Sequence, residues 1–203
     1  MSNSCCPTSY QVYENEPYLT IPLTEVKDYL NIPTEDTSED QIITDMIYAV
    51  QCAFEAYTRV ELTEKTFNQL ETCWCNAYQF NRSPVTSIVH VKYYDEDGVQ
   101  QTVLASEYFL VDYTPYKAIQ FESSFSFPSL RSRPLQIETQ FKAGLTTPAT
   151  PESPAFPNAP PCLVNALMAH VSYLYYNRDC ACDSSSIPAQ SKTAYGKYKI
   201  WSI

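Results

Sequence analysis

The sequence predicts an α+β fold: a small helical bundle with a β-rich antiparallel insertion and extended terminal arms. Two segments, near residues 39–58 and 162–178, repeat apolar residues at three- and four-residue steps. Between them, residues 62–142 switch to two-residue alternation broken by turn signals. The outermost stretches, residues 1–22 and 180–203, show neither period and read as arms.

Taken in order, residues 24–30 (TEVKDYL) form a short helix with Val26 and Leu30 on one face. The helix over 39–58 opens on Ser38 and Gln41, an S-x-x-Q capping-box pattern, with Glu39 and Asp40 in the first turn, where carboxylates oppose the helix dipole favourably. Ile43, Ile47, Val50, Phe54 and Tyr57 make its stripe. Ile42, Met46, Ala49 and Ala53 widen that stripe, which predicts burial on more than one side. In the insertion, Val89, Val91 and Tyr93 alternate ahead of Asp95-Glu96-Asp97-Gly98, where glycine supplies the positive φ of a hairpin turn. Short strands follow near 99–104, 107–112 and 117–121. Leu135, Ile137, Thr139 and Phe141 then alternate with polar residues, as a half-buried antiparallel strand does. Six prolines stiffen residues 146–161 into a long extended loop. Pro161 opens the last helix, with Leu163, Ala166, Leu167, Val171 and Leu174 inward.

A chain of 203 residues fits one domain with arms, of globular composition. Its 17 tyrosines suit interfaces, because one end of the side chain is apolar and the other hydrogen-bonds. A net charge of −10 argues against a protein that wraps nucleic acid, which needs a basic face. It is compatible with a lining that repels phosphates and lets DNA slide. The charge is uneven: residues 1–40 hold eight acids and one base, Lys27, whereas beyond Asp183 only Lys192, Lys197 and Lys199 are charged. The two ends are therefore expected to meet different surfaces. No apolar run has the length of a membrane span. The N-terminus lacks the basic-then-apolar order of a secretory signal, so the expected setting is the cytoplasm, with reduced thiols.

Little in the sequence points to catalysis. The two histidines, His90 and His170, are expected to be packed or surface residues rather than general bases, and no Ser or Cys sits in a recognised nucleophile motif. Eight cysteines (Cys5, Cys6, Cys52, Cys73, Cys75, Cys162, Cys180 and Cys182) include two C-x-C pairs, but structural zinc more typically uses C-x₂₋₄-C. The expectation is thiols, with no metal, no disulfide and no cofactor. With 3 glycines in the chain, a phosphate-cradling loop is not expected, and the Asp95–Asp97 run lacks the spacing of a calcium loop. The C-terminal Tyr195, Tyr198, Ile200 and Trp201, set among lysines, read equally as a segment folded onto the core or as an arm that orders on a partner.

Three segments together resemble the head–tail connector family of tailed bacteriophages, the head-completion or adaptor proteins. They are LTEVKDYLNI with SEDQIITDMIYAVQCAFEAYTRVEL (Leu23 to Leu62), SPVTSIVHVKYYDEDGVQQTVLASEYFLVD (Ser83 to Asp112), and PLQIETQFKAGL with PPCLVNALMAHVSYLYYNRD (Pro134 to Asp179). The combination of PV-x-S-I before a strand, YYD-x-DG at a hairpin and YNRD closing a helix carries the likeness. The resemblance implies a non-enzymatic virion protein of the neck, built into a homo-oligomeric ring, typically twelve-fold, beneath the portal. DNA would pass through the lumen without sequence-specific binding, and a stopper or tail protein would lie below. Residues 23–179 would be the connector domain and 180–203 the portal-docking tail, through Lys192, Tyr195, Lys197, Tyr198, Lys199, Ile200 and Trp201. Subunit contacts are expected at Tyr93, Asp97, Arg131 and Arg133. The rival readings are another neck ring (a stopper or tail terminator), a metal-dependent hydrolase using the C-x-C pairs, and a soluble host binding module.

Overall fold

The computed structural model describes residues 9–14, 19–113, 116–145, 160–178 and 187–200, with backbone only for 9–14. The chain forms two compact units, Met1–Glu16 with Lys65–Gly144 and Pro17–Glu64 with Leu145–Ile203. The first is the β-rich unit and the second holds every α-helix among the described residues. The α+β class predicted from sequence is the class observed.

The β-rich unit contains strands β1 (Ser9–Glu14), β2 (Lys65–Glu71), β3 (Ala77–Gln79), β4 (Val85–Tyr94), β5 (Gln100–Thr102), β6 (Tyr108–Asp112), β7 (Lys117–Phe121) and β8 (Ile137–Ala143). They form an antiparallel five-stranded sheet in the order β1-β2-β8-β4-β5 and a three-stranded sheet in the order β3-β7-β6. The stretch expected to be an extended N-terminal arm includes an edge strand, Ser9–Glu14. Strand β8 is central. Ile137, Thr139 and Phe141 are buried as the alternation predicts, but Gln136 and Gln140 are also nearly buried, so the strand is covered on both faces. Gln140 Nε2 donates to Asn68 Oδ1 at 3.0 Å, giving the buried amide a partner. Strand β4 departs from simple alternation. Register shifts between Val85 and Ser87 and between Ile88 and His90 turn Val89 outward, 45% exposed, while Val85 and Val91 are buried. Trp74 gathers an aromatic cluster, its ring 5.4 Å from Tyr93 and 5.5 Å from Phe121, with Phe125 and Phe127 closing round it.

The helical unit contains α1 (Leu23–Leu30), α2 (Asp40–Thr58), α3 (Pro161–Tyr176) and α4 (Ala189–Gly196). Helix α1 ends at Asn31 in the left-handed conformation (φ 58°), one of the few non-glycine residues that tolerates it. The Lys27 side chain, 2% exposed, reaches Thr34 O (3.0 Å), Asp36 O (2.6 Å) and Asp40 Oδ1 (2.7 Å), tying α1 to the start of α2.

Two expectations about α2 fail. The capping box does not form: Ser38 Oγ donates to Asp36 Oδ1 at 2.6 Å, and Glu39 at the N-cap makes no side-chain bond to the helix amides. Asp36 can accept from both the Ser38 hydroxyl and its amide, and this local turn outcompetes the cap. The second apolar face is not buried either, since Ile42 (44%) and Ala49 are exposed. Buried sites fall instead to Gln51 and Glu55, whose carboxylate accepts from the Leu62 amide at 3.0 Å. The core proper is Ile43, Ile47, Val50 and Phe54 of α2 against Leu163, Ala166, Leu167 and Val171 of α3, with Tyr195 of α4 inserted.

Candidate assembly surfaces

The chain after α3 was expected to be a polar tail. Among its described residues, Ala189–Gly196 fold into a helix that docks on the bundle. Its sequence, AQSKTAYG, contributes only two buried residues, Ser191 and Tyr195, four apart and therefore on one face. Both are fully covered. Ser191 Oγ donates to Ala166 O at 2.9 Å, and the Tyr195 ring meets Phe54 edge-on at 4.9 Å. The Tyr195 hydroxyl lies 3.3 Å from His170 Nδ1.

Burial pushes the Tyr195 phenol well above its ordinary value and pulls the His170 imidazole down to about 4. His170 Nε2 is buried with no hydrogen-bond partner, consistent with a neutral ring whose second nitrogen need not donate. His170 is thus a packed histidine of the bundle. The other histidine, His90, lies 3.2 Å from Glu138 Oε1 across the strand pair.

The residues expected to dock a partner separate into distinct environments. Tyr195 is a core residue, whereas Lys192 and Lys197 are exposed. Tyr198 is half-buried, its hydroxyl 3.5 Å from Cys162 Sγ and its ring edge-on to Phe54; burial raises its phenol to about 12. Lys199 places its ammonium 4.5 Å from the Tyr57 ring centre, with Lys192 at 5.9 Å from the same ring. The Ile200 amide donates to Thr58 O at 3.0 Å, beside the C-terminus of α2. Trp201 lies outside the described residues.

The opposite end of α3 is pinned to the N-terminus of α2. Glu39 accepts from the Tyr175 hydroxyl and, at 2.7 Å, from Arg178 Nη1. Those two bonds, the phenol's the larger, hold its carboxyl below the usual carboxylate range. The guanidinium also stacks over Tyr175, 4.9 Å from the ring centre.

In the β-rich unit, two of the four residues expected at a subunit contact, Asp97 and Arg131, meet at one hairpin. The β4–β5 turn closes with Gly98 N donating to Asp95 O at 2.9 Å, and Gly98 holds φ 78°. The Arg131 side chain packs over that glycine so closely that a Cβ there would stand 2.9 Å from Nη1. The Arg131 amide donates to Tyr94 O at 3.2 Å, and Asp97 is exposed at the tip. Arg133 is exposed two residues on, and Tyr93 instead joins the Trp74 cluster. Asp95 accepts from Gln101 and from the Val99 amide, which lowers its pKa. Exposed apolar residues flank the hairpin: Val99 at 54% and Leu104 at 69%. Beside them a recess of about 300 Å³ is lined by Tyr93, Val103, Glu107, Phe125 and Pro128. The sequence does not mark this surface beyond those four residues, because exposed apolar positions in short strands carry no periodic signal.

The cysteines depart from the expectation of uniform thiols. Cys52 and Cys162 are free, but Cys73 is disulfide-bonded. Among the described residues no group of three or more His, Cys, Asp or Glu side chains is arranged to hold a metal ion, and no helix is long and apolar enough to cross a membrane.

No family model and no curated protein matches the sequence. Solved structures do match, over nearly the whole chain. A chain in the neck of an empty gene transfer agent (GTA) particle computed with C6 symmetry aligns with a TM-score of 0.76 and 18% identity, over 96% of this chain and 97% of that one. A chain in the virion of the native GTA particle aligns at 0.74 with 18% identity, over 96% of each. A chain in the neck of the native particle computed with C12 symmetry aligns at 0.72 with 17% identity, over 96% and 97%. The protein therefore has the fold of chains found in the neck and virion of these particles.

Proposed function

We propose that the protein is a structural subunit of a virion neck: an adaptor that forms a ring between portal and tail around a DNA passage. The observation that supports this most is the end-to-end likeness to the GTA neck chains, which spans both units and leaves no large segment of either chain unmatched. Their six-fold and twelve-fold symmetries are both compatible with a twelve-membered ring, since a twelve-fold axis contains the six-fold one. The net charge of −10 suits a lumen that repels DNA rather than grips it. In this reading the protein is not an enzyme. It assembles in the host cytoplasm, and a stopper or tail protein meets its far side.

Subunit contacts in this proposal involve the hairpin at Asp97 with Arg131 and Arg133, and the exposed Ile42 and Ala49 face of α2. Portal docking uses the C-terminal segment. Its exposed cations Lys192 and Lys197 make first contact, followed by Tyr198, Lys199, Ile200 and Trp201, while Tyr195 anchors α4 in the bundle. Deleting the whole of 190–203 would remove core residues Ser191 and Tyr195, so the decisive variant is Lys192→Glu with Lys197→Glu, which reverses charge at two exposed positions.

The experiment is native mass spectrometry and negative-stain imaging of the full chain, with and without the portal protein. Rings that join portal, and a double variant that is folded but fails to join, are the expected results. A strict monomer that ignores portal would overturn the neck reading. Rings that ignore portal but join another neck component would make it a stopper or terminator.

A further inference from the structure

We infer that the recess beside the β4–β5 hairpin seats Arg133 of a second copy of this chain, as the receiving half of a head-to-tail subunit contact. Such a contact presupposes the ring proposed above and names two of the surfaces that close it. The recess holds about 300 Å³. That is the small end of the range for ligand sites, about 300–1,000 Å³, and suits one protruding side chain better than a cofactor. Tyr93, Val103, Phe125 and Pro128 give it apolar walls, and Glu107 is the one charged residue of its lining. Leu104, also in the lining, is 69% exposed. Apolar surface left open around a recess marks a contact site.

The carboxylate decides what the occupant must be. Glu122 N donates to Glu107 O at 2.9 Å, one step beyond the Tyr108↔Phe121 pair, so Glu107 and Glu122 stand directly opposite each other. Like charges so placed repel. Among the described residues neither carboxylate has a hydrogen-bonding or ion-pair partner. An arginine answers both parts of the recess. Its methylene stem lies along apolar walls, its planar guanidinium stacks on an aromatic face, and its fork of donors meets a carboxylate. A lysine lacks the stacking plane, and an apolar side chain would cover Glu107 without giving it a partner.

This chain carries such an arginine at the other end of the same strand. Strand β5 runs from the hairpin towards the recess, and Gly98 and Leu104 stand about 20 Å apart along it at ~3.3 Å per residue. Arg131 packs over Gly98 at the hairpin end, and Arg133 is exposed two residues on. Neither lines the recess, and among the described residues neither guanidinium has an ion-pair partner. Arg131 is held against its own glycine, which leaves Arg133 to project. Unpaired cations at one end of β5 and unpaired carboxylates at the other are complementary between copies, one copy's arginine end against the next copy's recess. A contact of that kind is heterologous and repeats in one direction, as the interfaces of a cyclic ring do.

The test is native mass spectrometry of the full chain over a range of protein concentrations, with circular dichroism to check folding. Leu104→Asp puts a charge at the mouth of the recess, on a side chain already mostly exposed, and should give a folded monomer. Glu107→Arg and Arg133→Glu should each raise the concentration at which rings form by about three- to tenfold. The two together should restore it, because the reversed pair is again opposite in sign. That rescue identifies another copy as the occupant, and it decides the matter alone should Leu104→Asp fail to fold. Wild-type rings that persist unchanged in a folded Leu104→Asp chain or in the single reversals would overturn the inference and leave the neck reading standing. Single reversals that the combined chain does not rescue would do the same. A Leu104→Asp chain that keeps its rings but no longer joins another neck component would give the recess to that component instead. A wild-type chain that forms no rings would overturn both readings.

Discussion

His170 should make the helical unit acid-sensitive at a pH where carboxylates still hold. In the unfolded chain its imidazole titrates at the ordinary 6.5; in the fold, burial lowers this to about 4. Between those values the unfolded state binds a proton that the folded state refuses, so stability falls as pH drops. From pH 7 to pH 5 the cost is about 2 kcal/mol, rising to about 3 kcal/mol near pH 4, below which the folded state also protonates and the effect levels off. Nothing in the site offsets the charge: His170 faces the Tyr195 hydroxyl, a phenol pushed up by its own burial, and its Nε2 meets no acceptor. The assay is urea unfolding followed by circular dichroism at 222 nm from pH 7.5 to 4.5. That signal reports the helical unit, because all four described α-helices lie in it. His170→Gln removes the titration, so its stability should be nearly flat from pH 7 to 5 whatever its absolute value, while wild type declines by about 2 kcal/mol. A wild-type curve as flat as the variant's, or a variant that falls as steeply as wild type, would refute the reasoning.

Other perturbations have defined outcomes. Tyr195→Ala empties a fully buried aromatic site against Phe54 and should cost about 3–5 kcal/mol, read by the same urea titration. Lys27→Met breaks three bonds of a buried ammonium and leaves Asp40 without its partner, and should cost about 3 kcal/mol. Gly98→Ala forces a side chain into a left-handed turn position and against the Arg131 guanidinium. It should cost about 1–2 kcal/mol and speed hydrogen exchange at the hairpin's amides, and Arg131→Ala should relieve part of this by removing the clash. Glu39→Gln should flatten a separate acid transition. The Glu39 carboxyl is depressed in the fold, so its stabilisation is present above the ordinary 4.5 and is lost as pH falls through its lowered value, below the His170 window.

What the sequence makes legible follows how each element is stabilised. Helix α2 and strand β8 bury long, regular apolar sets, so period alone locates them: Ile43, Ile47, Val50 and Phe54 on one, Ile137 and Phe141 on the other. Strand β1 and helix α4 leave no such trace. A six-residue edge strand is defined by backbone pairing with β2, which is not written in its own residues. Helix α4 hangs on one tyrosine and one serine, and two buried positions in eight are too few to register as a stripe. The failed capping box has the same origin, since S-x-x-Q is present but a nearer acceptor, Asp36, takes the serine. Breadth of an apolar stripe also misleads. Ile42 and Ala49 look like a second core face and are exposed, a pattern that suits a surface waiting for another subunit as readily as a core, and sequence alone does not distinguish the two.

The described part of the C-terminal segment is folded onto the core, and that placement is compatible with its also serving as an arm for a partner. One tyrosine is spent on the bundle, fixing α4 by an edge-on contact with Phe54 and by covering His170. The residues that follow are held more lightly: Tyr198 half-buried, Lys199 over the Tyr57 ring, Ile200 by one backbone bond to Thr58. A segment anchored at Tyr195 and only loosely seated beyond it presents its cations from a fixed base. Exposed cation–π contacts are worth about 0.5–1 kcal/mol each, so exchanging them for a partner's carboxylates costs little. Docking by such a segment needs no unfolding of the bundle, and it predicts that Tyr195→Phe, which keeps the anchor's ring, should leave partner binding intact while Lys192→Glu with Lys197→Glu abolishes it.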